Sequence, residues 1–563
     1  MNSLLPLYTP LPTPEEMRRW DEAARNIFGI PPLLLMENAA QAAHAVLKEH
    51  YSLCPESTIL IFMGRGNNGG DGAALARLLH DAGHTVLVCP SGPLDELKGP
   101  AGEHADMARK MGVSFLPAAS EELPVLPLEW RSPNVVIDAL TGTGIRGRLR
   151  DRERAIVETI NSLRDKSFIF SLDIPSGLCG LTGRPQPEAV RAHATVSFEA
   201  GKPGLYLPEA GAFTGVVSVR RIGMPFALRT MMLTSWLLLE PQKDAWAAPP
   251  PTQHKGAAGK TLIIGGSEGM AGAPLLAALG SLRAGAGLVH AAVPGALESA
   301  IRTAYPEILV HSVGTGTRWS EGDATFLPAL LRELSPGALV IGPGMGRNAG
   351  AREAVRSVLA EEKRPPAVVD ADALSFFRLP DQNADAASRA PDTARALPDE
   401  QAKRHCPPLP LTLLTEKDIL TPHPGEMAAM LPPSFFAEAA AEGGAANAGA
   451  VMRDRPGALR ALTRECGSVV VLKGAGTLIG RHNRPVVLSP VAAPTLAIGG
   501  SGDVLSGICA AVAASGVSSF DAACLAVYLH ARAGELLARK APRGHLARDI
   551  ADAVPLVWKE LCE

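Results

Sequence analysis

Eight cysteines are scattered along the chain (Cys54, Cys89, Cys179, Cys406, Cys466, Cys509, Cys524 and Cys562), and no two form a Cys-x-x-Cys pair. That spacing excludes the usual zinc ribbon and a disulfide framework, and it fits a reducing cytoplasmic setting. Excess charge is also missing: the formal net charge is −3, which supplies no basic field for nucleic acid or an anionic membrane. Neither is therefore expected as a partner. The longest apolar stretch, Met224 to Leu239, contains Arg229 and is too short to cross a bilayer easily. The first residues lack a basic segment and soon reach Glu15 and Glu16, so they do not read as a signal peptide. Aromatic residues make up only 4% against 46% hydrophobic residues overall, and 56 glycines are present. This balance suits an alanine-rich α/β enzyme better than an all-β or disordered chain.

What the chain does have is length and two glycine-rich turns. Its 563 residues suffice for two or three domains, each with its own core. Short β-branched runs alternate with helical patterns at Ile59–Met63, Thr85–Cys89, Val135–Ile137, Phe168–Leu172, Thr195–Phe198 and Val216–Val219. A second series begins at Leu262–Ile264 and continues through Leu288–Val293, Leu339–Ile341, Val368–Val369, Val469–Leu472 and Val486–Leu488. Continuous apolar strands separated by helices predict parallel sheets covered on both faces. Pro249-Pro250-Pro251 reads as a stiff connector between two halves of one class, with no visible repeat. The expected domains are 10–225 and 245–563, with a linker at 226–244. The stretch of about 378–417, rich in Ala, Asp, Pro and Arg, reads as a mobile insertion.

The first glycine turn, Gly64-Arg65-Gly66-Asn67-Asn68-Gly69-Gly70-Asp71-Gly72, follows an apolar strand and opens a helix. Two more strand-end turns, Asp138–Gly144 and Asp173–Gly177, converge with it at one sheet edge if the sheet is parallel. Asn68, Asp138 and Ser176 offer oxygen ligands, which suit a hard cation. Gly142 to Arg148 can wrap phosphates with backbone amides and the guanidinium groups of Arg146 and Arg148. A plainer reading makes each of these a tight turn with a capping aspartate; three together are harder to explain that way.

The second turn, Gly499-Gly500-Ser501-Gly502-Asp503, also precedes a helix, whose buried face is Val504, Leu505, Ile508, Cys509 and Val512. Its amides can face a transferring phosphoryl group, and Asp503 can accept the proton of an attacking hydroxyl. As capping alone, Asp503 would contribute only about 0.3–1 kcal/mol to the helix. No Walker P-loop is present.

The first set resembles the epimerase domain of the NAD(P)H-hydrate repair enzymes. The likeness runs from Met17-Arg18 through Leu34, Met36-Glu37-Asn38 and the intact GNNGGDG core to Lys202-Pro203-Gly204-Leu205. It implies a Rossmann-like three-layer sandwich in which Asn67, Asn68, Gly69, Gly70, Asp71, Gly142, Thr143, Gly144, Ile145, Arg146, Gly147 and Arg148 bind the hydrated dinucleotide. It further implies that Asn68, Asp138 and Ser176 hold K⁺ and that Asp173 meets the altered nicotinamide ring; as a carboxylate there, Asp173 can serve as acid and then base in epimerisation.

The second set is similar to the anion hole of ribokinase-like α/β kinases. His254-Lys255-Gly256, the GGS…GA turn, Thr421–Glu426 and Lys473–Thr477 narrow the likeness to the ADP/ATP-dependent NAD(P)H-hydrate dehydratases. By that likeness Lys473, Gly474, Ala475, Gly476, Thr477 and Gly502 bind ADP or ATP, with Mg²⁺ required, and Ala273, Gly344, His423 and Asp503 line the substrate site. Ile498 stands where threonine is usual. The expected enzyme is cytoplasmic and bifunctional, acts on NADHX and NADPHX, and is open to homo-oligomerisation. Its rival is a kinase for a vitamin-like alcohol fused to a non-catalytic nucleotide-binding domain.

Overall fold

The computed structural model describes residues 7–117, 126–144, 147–242, 246–380, 407–437 and 446–562. They form two compact units, one of Pro10–Leu237 and one running from Leu238 onward together with the segment before Pro10.

The first unit is built on seven parallel strands. Numbered by appearance in the chain, they lie in the order 3-2-1-4-5-6-7: Ser114–Phe115, Thr85–Pro90, Thr58–Met63, Val135–Ala139, Phe168–Leu172, Ala194–Phe198 and Val216–Arg220. The order reverses between Thr58–Met63 and Val135–Ala139, and the crevice outside the carboxyl ends of strands at such a reversal is where open α/β sheets bind ligands. Phe62 is in register with Asp138, and Asp138 with Ser171, so the candidate turns leave the sheet at one level. Strand residues such as Ile61, Val136, Ile137 and Phe170 are fully buried, as expected for a sheet covered on both faces.

In the second unit, the first seven strands repeat the same order. Ile308–Val313, Leu288–Pro294, Lys260–Ile264, Ala338–Ile341, Ala367–Val369, Ile419–Leu420 and Val469–Leu472 are all parallel. Leu478–Gly480 and Val486–Leu488 then add on antiparallel. The sheet ends with Trp236–Leu239 and Tyr8–Pro10, eleven strands in all.

One reading of the sequence meets a different outcome. The stretch 226–244, expected to be a linker, contains the helix Phe226–Met231 and the strand Trp236–Leu239. Trp236, Leu238 and Leu239 are buried, so the apolar run is used as sheet rather than as connector. The expected insertion lies largely outside the described residues, which resume at Pro407 after Pro380. Its described flanks are joined by a parallel bridge between Phe377 and Leu409, with Leu409 N donating to Phe376 O at 2.7 Å.

The helices Gly272–Arg283 and Ser501–Ala514 pack backbone to backbone in the second unit. A Cβ on Gly507 would stand 1.8 Å from the Ala277 carbonyl oxygen, and one on Gly280 would stand 2.3 Å from that of Val504. This contact fixes the helix that carries Asp503. Gly507→Ala should therefore destabilise the second unit by at least about 1–3 kcal/mol, the usual cost of overpacking. A denaturant midpoint followed by circular dichroism, compared with that of the unchanged chain, checks this.

Candidate active sites

In the first unit, helix Asn67–Asp81 starts at Gly66 with no side-chain cap, leaving its first backbone N–H groups available to a ligand. Gly64 lets the turn lie against its neighbour, since a Cβ there would sit 1.7 Å from the Leu140 carbonyl oxygen. Part of the glycine pattern is thus steric, as the plainer reading holds. Asn68 is not explained that way. Its side chain is buried, yet neither Oδ1 nor Nδ2 has a hydrogen-bond partner. A buried amide left unpaired costs stability, so its presence here points to a ligand.

Asp138 is fully buried and closes the strand end. It accepts from Ser176 N (2.8 Å), Ser176 Oγ (2.5 Å), Ser171 Oγ (2.8 Å) and Leu140 N (3.3 Å). Burial raises its carboxyl above the ordinary range, and these donors oppose but do not cancel the rise. Ser176 Oγ also accepts from Thr141 N at 2.9 Å. Asp138 and Ser176 are therefore bonded to each other, while Asn68 lies apart from that network.

Asp173 sits in the left-handed region at φ 62°, a conformation uncommon outside glycine, though asparagine and aspartate enter it more readily than other residues. Its Oδ2 lies 3.3 Å from where a Cβ on Gly142 would be, and Asn68 Cβ is 3.4 Å from that same point. Gly142, Asn68 and Asp173 hence converge. Its Oδ1 pairs with Lys202, a buried lysine that the sequence reading noted only at the end of a motif. Burial lifts Asp71 well above the usual carboxylate range; the charges of Asp173 and Asp21 add to this and Lys202 opposes it. Thr143 is half-buried, whereas Asn67, Gly144, Gly147 and Arg148 are exposed. Ile145 and Arg146 lie outside the described residues.

The second site forms where the order reverses between Lys260–Ile264 and Ala338–Ile341. Ser267 Oγ donates to Gly344 O at 2.8 Å, and a Cβ on Gly344 would be 3.0 Å from Ala273 Cβ, so Gly344 and Ala273 are neighbours. Lys473 Nζ donates to Asp370 Oδ1 at 3.0 Å and lies 3.8 Å from Glu426 Oε2. It is also 3.2 Å from where a Cβ on Gly502 would stand, which places the ammonium at the start of the Asp503 helix. Burial would depress this lysine, but Asp370 and Glu426 hold it above its ordinary value. Arg455 braces the turn that follows by donating to Ala475 O (2.9 Å) and Gly476 O (2.7 Å), and Thr477 Oγ1 donates to Gly474 O at 2.9 Å.

Asp503 is pushed up to about 7, first by burial and then by Asp370, with Glu426 and Asp372 adding and Lys473 opposing. His423 caps helix Pro424–Met430: its Nδ1 accepts from Gly425 N at 2.9 Å and Glu426 N at 3.2 Å. With Nδ1 accepting, the neutral ring carries its proton on Nε2, which lies 3.5 Å from Glu426 Oε1. The imidazole is 56% exposed, so its outer edge stays open to a ligand. Asp370, Glu426 and Arg455 are the groups that sequence reasoning left out of the site. Glu426 falls in a motif already noticed, and Asp370 directly follows the strand run Val368–Val369; Arg455 carries no local signal, because its partners lie about twenty residues away.

Residues 33–204 match the family described as YjeF-related protein N-terminus, and residues 261–391 and 401–556 match the family NAD(P)H-hydrate dehydratase. The bifunctional NAD(P)H-hydrate repair enzyme Nnr of Moorella thermoacetica is 33% identical over 98% of this chain and 97% of its own length. Its counterpart in Methanothermobacter thermautotrophicus is 34% identical over 96% and 95%, and that of Escherichia coli is 31% identical over 95% and 91%. Among solved structures, the ADP/ATP-dependent NAD(P)H-hydrate dehydratase of Bacillus subtilis, co-crystallised with ATP/Mg²⁺, is 25% identical over 56% of this chain and 94% of its own, with a TM-score of 0.41.

Proposed function

The chain belongs to the bifunctional NAD(P)H-hydrate repair enzymes, and from that premise we propose how its residues divide the work. The enzyme epimerises hydrated NADH and NADPH and dehydrates them at the expense of a nucleotide. The observation that carries the assignment of residues is that each unit turns one carboxylate toward a glycine-rich turn beside its own sheet's reversal point.

In the first unit, the dinucleotide phosphates lie against the amides of Asn67–Asp71 and Gly142–Arg148. Asp173 passes a proton to the C6 hydroxyl, the C6–O bond breaks as water leaves, and the ring nitrogen lone pair stabilises the cation. Water adds to the opposite face and its proton returns to the carboxylate. The unpaired Asn68 amide and the bonded Asp138–Ser176 pair offer the oxygen ligands that suit a hard monovalent cation. K⁺ held there would screen the negative charge of the strand end and the dinucleotide.

In the second unit, ADP or ATP lies against Lys473–Thr477 and Gly502. The substrate ring meets Ala273, Gly344 and His423. Asp503 takes the proton of the C6 hydroxyl as its oxygen attacks the terminal phosphorus and the shortened nucleotide leaves. Phosphate then departs from C6 and a C5 proton is lost, which restores the reduced ring. Asp370, Glu426 and Asp503 face a single ammonium, and this excess of negative charge fits a divalent cation. Mg²⁺ is typically held by one or two carboxylates plus phosphate oxygens and water, so Asp370 and Glu426 suffice as its protein ligands. It would neutralise phosphate charge. Among the described residues no helix is long and apolar enough to cross a membrane. The scattered cysteines support a cytoplasmic location.

Asp503 must be ionised to act as a base, so its raised position near 7 sets the sign of the pH dependence. The kcat/KM of dehydration should fall about tenfold per pH unit below that point and level off above it. A pH–rate profile with ATP checks this. Incubation of S-NADHX with nucleotide and Mg²⁺ tests the reading as a whole. Reduced nicotinamide should form, whereas a stable phosphate ester would favour a simple kinase.

A further inference from the structure

We propose that Lys202 is the positioning residue of the epimerase, holding one oxygen of Asp173 so that the other faces the substrate turn. The inference rests on the assignment of Asp173 as proton carrier and adds a residue to it.

The side chain of Lys202 is 1% exposed. Taking an ammonium out of water costs several kcal/mol unless it is paired and hydrogen-bonded. Here it has three acceptors: Asp173 Oδ1, Ser197 Oγ at 2.9 Å and Phe198 O at 3.2 Å. An ammonium has three protons, so none is left for a substrate atom. Lys202 can act only through Asp173.

The same strand end holds both partners. Asp173 N donates to Val196 O at 2.7 Å, while Ser197 and Phe198, the next two residues, receive the lysine. Ser197 Oγ is itself oriented by donating to Ala200 O at 3.1 Å. The backbone beyond Lys202 is equally fixed, because Gly204 N donates to Gly180 O at 2.8 Å and a Cβ on Gly204 would stand 2.2 Å from Cys179 O. With Oδ1 tied down and the backbone held at φ 62°, Oδ2 is the oxygen that looks toward Gly142. A carboxylate free to rotate would spend much of its time with neither oxygen in line.

The test uses the full-length protein and the initial rate of R-to-S conversion at constant saturating KCl, with Asp173→Asn as reference. Lys202→Met should lower kcat about a hundredfold, the scale of a small misplacement of a reacting group, with KM for NADHX within about threefold. Lys202→Ala should regain at least about tenfold of its lost rate with ethylammonium, which can refill the three hydrogen bonds, and gain nothing from tetramethylammonium, which cannot donate. Ser197→Ala keeps the charge and removes one anchor, and it should lower kcat about fivefold at unchanged KM. That variant decides the matter if the Lys202 variants do not fold. A kcat that stays at the wild-type value in Lys202→Met or Ser197→Ala, or a loss confined to KM, overturns the role of Lys202 while an inactive Asp173→Asn leaves Asp173 in place. An active Asp173→Asn overturns both.

Discussion

Asp503→Asn should lower the dehydration rate by about 10²–10⁴, the usual contribution of a positioned general base. The amide keeps the shape of the carboxylate but cannot take the hydroxyl proton. The residue is the third of helix Ser501–Ala514, and the close contact at Gly507 and Gly280 keeps that helix in place after the substitution. Its surroundings become less strained rather than more, since a negative charge leaves the vicinity of Asp370 and Glu426. Nucleotide affinity should accordingly stay within a few-fold of wild type, read by equilibrium binding of ATP. Epimerisation should be unchanged, because its residues all lie in the other compact unit. A dehydration rate within a few-fold of wild type would remove Asp503 from the mechanism.

The second large effect is expected at Asp138. Asp138→Ala leaves three donors of the first site without their acceptor, Ser176 N, Ser171 Oγ and Leu140 N, while Ser176 Oγ keeps only Thr141 O at 3.2 Å. Each buried group so stranded costs about 1–3 kcal/mol before relaxation, so the Pro175 turn should loosen and epimerisation should collapse. Asp138→Asn is the milder change, because it keeps an acceptor oxygen for two of the four donors and removes the charge. It should fold, and the KCl concentration for half-maximal rate should rise about 10–100-fold, the scale seen when a metal site loses a supporting interaction. The measurement is the R-to-S rate in KCl and then in tetramethylammonium chloride. If the wild-type rate is the same in both salts, no cation site exists and Asp138 only ties the strand end to its turn.

What the sequence disclosed and what it hid follow from the range of the interactions. The strands, the two glycine turns and the Asp503 helix are written in local runs of apolar residues and glycine, and the doubly wound sheets carry them where those runs indicated. Asp173 and Lys202 are 29 residues apart and Asp370 and Lys473 are 103 apart, so no local pattern reveals that each pair shares a proton. Arg455 braces the nucleotide turn from a helix about twenty residues upstream, on the same account. The strand Trp236–Leu239 was misread because an apolar run next to prolines looks like a connector until a sheet edge receives it. His423 is the opposite case: its cap on Glu426 spans only three residues, all inside the Thr421–Glu426 motif. The common strand order of the two units is a property of the chain path, and unlike side chains can produce it.

The central claim is that two separate sites, one centred on Asp173 and the other on Asp503, repair the two epimers in sequence. The most direct measurement starts from pure R-NADHX with ATP, Mg²⁺ and K⁺ and follows the near-ultraviolet absorbance of reduced nicotinamide. Asp173→Asn alone should yield product only at the spontaneous rate of epimerisation, and Asp503→Asn alone should yield almost none. An equimolar mixture of the two variants should restore rapid and complete conversion, because S-NADHX released by one is consumed by the other. A mixture no faster than Asp173→Asn alone would contradict the account.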